Sequence, residues 1–154
     1  MAIKKKKTKR KGRKVVQAKK VKIDGIEFQS TLEGTMYKLL KEAGIKNTYE
    51  GQSYNTFKPF VLEEECWERA MKKSPAMIDR RKVSKVSYTP DFIGENEEWF
   101  IEVKGRANES FPLRWKLFKD MVSKWERPPL IFKPTKKADC EQVIEILKSK
   151  GYGK

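Results

Sequence analysis

An aspartate, a glutamate and a lysine stand within a short stretch of this chain, as Asp91 and then Glu102-Val103-Lys104 in the run VSYTPDFIGENEEWFIEVKG over residues 86–105. Residues 86–93 and 99–104 are rich in aromatic and β-branched side chains and flank a polar connection, Gly94-Glu95-Asn96-Glu97-Glu98. That pattern predicts an antiparallel hairpin. Side chains alternate along a strand, so Glu102 and Lys104 share one face and Val103 takes the other. Folding about Asn96 brings Asp91 opposite Ile101 or Glu102. Two acids and an ammonium group on one patch suit phosphodiester hydrolysis, which needs a nucleophilic water and neutralisation of charge on the phosphate oxygens. A hard cation, Mg²⁺ or Mn²⁺, supplies both and is held by one or two carboxylates. Asp91 and Glu102 would hold it. Lys104 would act either as a compact charge beside the phosphate or as the group that takes the proton of the water.

The remaining segments have to position that patch. Residues 21–28, VKIDGIEF, read as a strand or hairpin about Asp24-Gly25. Leu32, Met36, Leu39, Leu40 and Ala43 form a helical stripe that Gly44 ends. Glu33 lies beside the stripe, where it could reach the sheet; equally, Ser30 and Glu33 fit a helix capping box. A strand is expected over 46–57, broken at Gly51, then a short helix over 61–73 with acids early and bases late, and a basic connection over 77–85. Beyond the hairpin come a helix over 111–125, with Leu117, Phe118, Met121, Val122 and Trp125 inward, and a short strand over 130–133. A last helix over 138–150 has Cys140 in its buried side. A strand that returns after a helix implies a parallel pairing in a mixed sheet.

Composition narrows the chemistry further. The 154 residues suit a single domain, and the formal net charge is +15. Residues 1–23 hold 12 of the 36 basic side chains and none of the acidic ones; the remainder carries 24 basic against 21 acidic, a net of +3. The expected organisation is a disordered basic arm over 1–20 and one folded domain over 21–154. The arm, with Lys4, Lys5, Lys6, Lys7, Lys9, Arg10, Lys11, Arg13 and Lys14, would meet nucleic-acid phosphates. The chain has no histidine, which excludes a Ser-His-Asp triad, an imidazole base and a Cys/His zinc site. Two cysteines are too few for a disulfide framework and favour a reducing, cytoplasmic setting. No run of apolar residues is long enough to span a bilayer, so no membrane partner is expected.

With these residues in order, the chain resembles the PD-(D/E)xK nuclease superfamily, and most of all the small phage endonucleases of the endonuclease I, Holliday-junction-resolving type. The signature stands as Pro90-Asp91, then Glu102-Val103-Lys104, with Glu33 in the helix before the first core strand. The likeness extends to Leu32-Glu33 at the helix start, to Ala43-Gly44-Ile45-Lys46 at its end and to Y-T-P-D-F at 88–92, and spans about 24–132. Residues 61–82 are longer than the family pattern. The resemblance implies an α/β, restriction-endonuclease-like αβββαβ core, a mixed central sheet flanked by helices. It also implies Mg²⁺-dependent DNA cleavage, catalytic roles for Glu33, Asp91, Glu102 and Lys104, and a third metal contact from Glu33.

The expected function is therefore a metal-dependent endodeoxyribonuclease acting on branched or duplex DNA in phage recombination or processing. Symmetric cuts at a junction call for a homodimer. Arg106, Arg114 and Lys116, which follow Lys104, would track phosphates together with the arm. The competing reading is a non-catalytic nucleic-acid-binding protein whose arm supplies affinity and whose acidic patch is incidental.

Overall fold

The site is held by a four-stranded mixed sheet sandwiched between helices, and each strand is only three residues long. The computed structural model describes residues 18–73, 75–106 and 108–154. The strands are β1 (Val21–Ile23), β2 (Ile26–Phe28), β3 (Asn47–Tyr49), β4 (Tyr54–Phe57), β5 (Phe60–Val61), β6 (Trp67–Arg69), β7 (Met77–Asp79), β8 (Lys82–Val83), β9 (Val86–Tyr88), β10 (Phe92–Gly94), β11 (Trp99–Ile101) and β12 (Leu130–Phe132). The helices are α1 (Thr31–Glu42), α2 (Phe111–Ser123) and α3 (Lys137–Ser149). The central sheet has the order β12-β11-β10-β3, with β11 and β12 parallel and the other pairs antiparallel. Read along the chain, the central elements run α1, β3, β10, β11, α2, β12, which is the expected αβββαβ order of a mixed α/β fold.

Alternation along the strands divides the interior in two. Phe92, Trp99, Ile101 and Val103 pack with Met36 and Leu40 of α1 and with Cys140, Val143 and Leu147 of α3. Ile93 and Phe100 face the other way, against Phe111, Trp115, Phe118 and Val122 of α2 and against Tyr54 and Tyr88. Each face is thus closed by a helix whose apolar stripe has the 3.6-residue period. Phe118 meets Phe100 edge-on at 5.2 Å and Tyr88 at 4.8 Å between ring centroids. The expected inward residues Phe118 and Val122 are fully buried, and Leu117, Met121 and Trp125 are half-buried.

Local signals explain how α1 is placed. The β1–β2 turn is two residues, Asp24 at φ 52 and Gly25 at φ 81, the left-handed pair that suits a right-twisted hairpin. Asp24 accepts from Lys41 Nζ at 2.6 Å and from the Tyr37 hydroxyl at 3.0 Å, which ties the hairpin to α1. At the helix end Gly44 has φ 63, and Ile45 N donates to Leu40 O at 2.9 Å, a Schellman closure.

Two expectations are corrected by the structure. The single strand over 86–93 is two, because Pro90 has no N–H to give a ladder: β9 pairs with β4, and β10 pairs with β3 and β11. The break expected at Gly51 is present, and the segment 46–57 divides into β3 and β4 at a bend where Glu50 has φ 44. The helix expected over 61–73 is absent. That stretch and the basic connection after it form an antiparallel ribbon, β5 with β8 and β6 with β7. Val61, Leu62, Trp67 and Met71 do not fall on one helical face, and three successive glutamates, 63–65, interrupt them. A helix there would bury nothing, whereas pairing with 77–83 satisfies the backbone. Trp67 is 53% exposed and Met71 72%, so the ribbon stands clear of both cores.

Candidate active site

The hairpin register puts the acids where alternation requires. Phe92 pairs with Ile101 and Ile93 with Phe100, so one further step sets Asp91 against Glu102. Of the two partners expected for Asp91, Ile101 and Glu102, the register selects Glu102. Past the end of β11 the backbone stays extended, because Glu102 N donates to Phe132 O and Lys104 N to Pro134 O, both at 3.0 Å. Glu102 and Lys104 therefore continue the face of Phe100, toward the start of α2, while Val103 enters the opposite core. The turn that closes the hairpin is tighter than a simple five-residue loop. Residues Glu95–Glu97 form a 3-10 turn in which Asn96 has φ 53, and Glu97 accepts a hydrogen bond from the Tyr54 hydroxyl.

A cavity of about 270 Å³ opens at this end of the sheet, and its lining includes Glu33, Asp91, Glu102 and Lys104. All four expected catalytic residues reach one space, although they come from α1, from the segment before β10 and from the segment after β11. Val103 N donates to Asp91 Oδ2 at 2.6 Å, and this fixes one oxygen of that carboxylate. Lys104 Nζ lies 3.9 Å from Glu102 Oε1 and 4.9 Å from the centroid of the Phe111 ring, so the ammonium is held between a carboxylate and an aromatic face. Glu102 is 5% exposed, and its Oε2 is buried without a well-formed hydrogen bond.

Glu33 serves both of the roles left open by the sequence. Ser30 Oγ accepts from Glu33 N at 3.2 Å and donates to Glu33 Oε1 at 2.8 Å, and Gln29 N donates to Oε2 at 3.0 Å. This is a capping box in which the carboxylate reaches one amide beyond the usual one. Tyr49 on β3 donates to the same Oε2 at 2.7 Å, which turns the side chain toward the cavity.

Electrostatically the site is short of positive charge. Burial raises the Asp91 pKa to about 8, helped by the charges of Glu102 and Glu33 and opposed by the Val103 amide and Lys104. Burial likewise raises Glu102, against the lowering effects of Tyr88 and Lys104. Two desolvated acids with one ammonium between them are stabilised by a further cation. The donors are carboxylate oxygens, which suit Mg²⁺ or Mn²⁺ and not a soft metal. Among the described residues no three acidic or thiol side chains converge into a ready-made metal cluster. A hydrated Mg²⁺ does not need one, since one or two carboxylates hold it and water completes its shell. The pair Asp91 and Glu102, two buried carboxylates on one cavity, fits such an ion.

The expected phosphate contacts separate. Arg114 lines the cavity, with Nη2 donating to Ser87 O at 2.6 Å. Arg106 and Lys116 are exposed and are not part of the lining. Lys4, Lys5, Lys6, Lys7, Lys9, Arg10, Lys11, Arg13 and Lys14 lie outside the described residues. Sequence reasoning missed Gln29, Tyr88, Asn108 and Phe111 in the lining. Tyr88 was in plain view in the run Y-T-P-D-F, but the break at Pro90 hides which face its side chain takes. The start of α2 carries no acid, and its first amide is held by Asn108 Oδ1 and not by Ser110, so nothing in its sequence marks it as a wall of the site.

No helix among the described residues is long and apolar enough to cross a membrane. No curated protein and no solved structure matches the chain. Its sequence over residues 13–127, most of its length, does match one family pattern, and the chain accordingly belongs to the DUF1064 family, described as proteins of unknown function.

Proposed function

We propose that this protein is a metal-dependent endodeoxyribonuclease of the PD-(D/E)xK type that acts on branched DNA as a homodimer. The observation that carries this reading is the convergence of Glu33, Asp91, Glu102 and Lys104 on one cavity at the end of a mixed sheet. The αβββαβ element order supports it as well.

Mg²⁺ or Mn²⁺, when bound, supplies positive charge to the phosphate oxygens and acidity to water. Asp91 and Glu102 are the side chains that would hold it. The Val103 amide orients Asp91 by holding Oδ2. Lys104, braced by Phe111 and Glu102, keeps a fixed positive charge where the phosphate oxygens gain negative charge. Glu33 adds negative charge from the α1 side while its hydrogen bonds anchor the helix start. Arg114 on the cavity wall and the exposed Arg106 and Lys116 contact flanking phosphates, and the basic arm adds affinity without reading sequence. Two such sites related by a twofold axis would cut a junction symmetrically.

The test is a panel of four-way junction, flap, duplex and single-stranded DNA, each with and without Mg²⁺. Cleavage is expected only with the metal and fastest on the junction. DNA binding with no scission of any substrate in Mg²⁺ or Mn²⁺ would replace this reading with a non-catalytic binding protein.

A further inference from the structure

Two buried polar atoms in the described chain lack a well-formed hydrogen bond, Glu102 Oε2 and the Tyr88 hydroxyl, and both residues line the same cavity. Tyr88 is 4% exposed. Its ring is fixed between Phe118 at 4.8 Å and Trp115 at 5.8 Å, and its backbone pairs with Tyr54 across β4 and β9. A phenylalanine would satisfy that aromatic contact. A buried hydroxyl without a good acceptor is costly, so the oxygen calls for a firmer partner than the metal-free site gives it. Burial raises the phenol's pKa, and Glu102 adds to that both by its charge and as a hydrogen-bonding neighbour, so the two side chains already adjoin. The other acid of the pair shows the arrangement already complete: Val103 N holds Asp91 Oδ2.

We infer that Tyr88 is a positioning residue whose hydroxyl donates to Glu102 Oε2 in the metal-loaded site, leaving Oε1 for the cation beside Lys104. This rests on the proposed metal site and adds to it a hydrogen-bond donor for its second carboxylate. Each acid then has one oxygen held by the protein and one presented to the ion. Donors of this kind orient metal-binding groups, and their loss costs roughly 10–100-fold in metal affinity or activity.

Calorimetric titration of Mn²⁺ into the full chain, without DNA, tests the assignment on wild type, Tyr88→Phe, Glu102→Gln and the double variant. Tyr88→Phe should weaken Mn²⁺ binding by about tenfold with thermal melting undiminished. In the Glu102→Gln background the same change should have no further effect, because the partner is gone. Wherever cleavage is measured, Tyr88→Phe should raise the half-saturating metal concentration, with the rate restored by excess Mn²⁺. Wild-type Mn²⁺ affinity in Tyr88→Phe, an equal loss in both backgrounds, or no Mn²⁺ binding by wild type would each overturn the assignment. A wild-type protein that binds Mn²⁺ with this coupling but cuts no DNA would overturn the nuclease reading alone.

Discussion

Asp91 carries the sharpest consequence at the level of single residues. Its pKa in the folded protein is about 8, against an ordinary 3.8. Between those values the metal-free folded protein keeps a proton that the unfolded chain releases. Stability should therefore fall as pH rises from about 4 to about 8, by up to ~1.4 kcal/mol per pH unit, and be flat outside that window as far as this group is concerned. Asp91→Asn should remove that contribution and stabilise the metal-free protein at pH 8, as read by denaturant midpoints across the range. On the proposed metal site, Mg²⁺ should offset the loss at pH 8, since it would bind the ionised carboxylates. Wild-type stability that rose across the window no less steeply than that of Asp91→Asn would contradict this. The site residues also mark how far the sequence could be read. Asp91, Glu102 and Lys104 were legible because a period of two and a polar turn fix which side chains share a face. The double duty of Glu33 was legible only in half, because Tyr49 reaches it from a strand distant in sequence. Tyr88 was not legible at all, because Pro90 breaks the alternation between it and Asp91.

At the scale of elements the hairpin β10–β11 sets the geometry, and Gly94 sets the hairpin. A Cβ at Gly94 would lie 2.5 Å from the Trp99 indole, which is itself almost fully buried. Gly94→Ala should therefore destabilise the fold by about 1–3 kcal/mol through overpacking, measured by chemical denaturation. An unchanged midpoint would show that the indole can move aside. The helices were readable from their apolar periodicity and stop signals, and the parallel return of β12 followed from the crossover through α2. The ribbon from β5 to β8 was not, because a strand there draws no pattern from a core it does not touch; its pairing is decided by the segment 77–83, and three glutamates with early acids and late bases imitate a helix. Lacking contacts in either core, the ribbon should tolerate substitution: Trp67→Ala should alter stability by no more than about 0.5 kcal/mol.

The whole molecule divides its charge between a nearly balanced domain and a cationic N-terminal segment. Residues 1–17 hold nine lysines and arginines. If those side chains neutralise phosphates, removing the segment should reduce the slope of log affinity against log salt by up to about 8 for duplex DNA, and leave the metal requirement for cleavage unchanged. Fluorescence anisotropy across a salt series reads that slope directly, and an unchanged slope would mean that DNA is held by the folded domain alone.

The central claim is that the acids in the cavity, and not the basic surface, break the phosphodiester. Its most direct test is cleavage of an end-labelled four-way junction by wild-type and Asp91→Asn protein in Mg²⁺, at concentrations where both are shown to be saturated with DNA. Wild type should cut and Asp91→Asn should lose at least about 10³-fold in rate while binding DNA as tightly, a barrier increase of ~4 kcal/mol. Equal cutting by the two proteins would contradict the account, and so would a junction left intact by both.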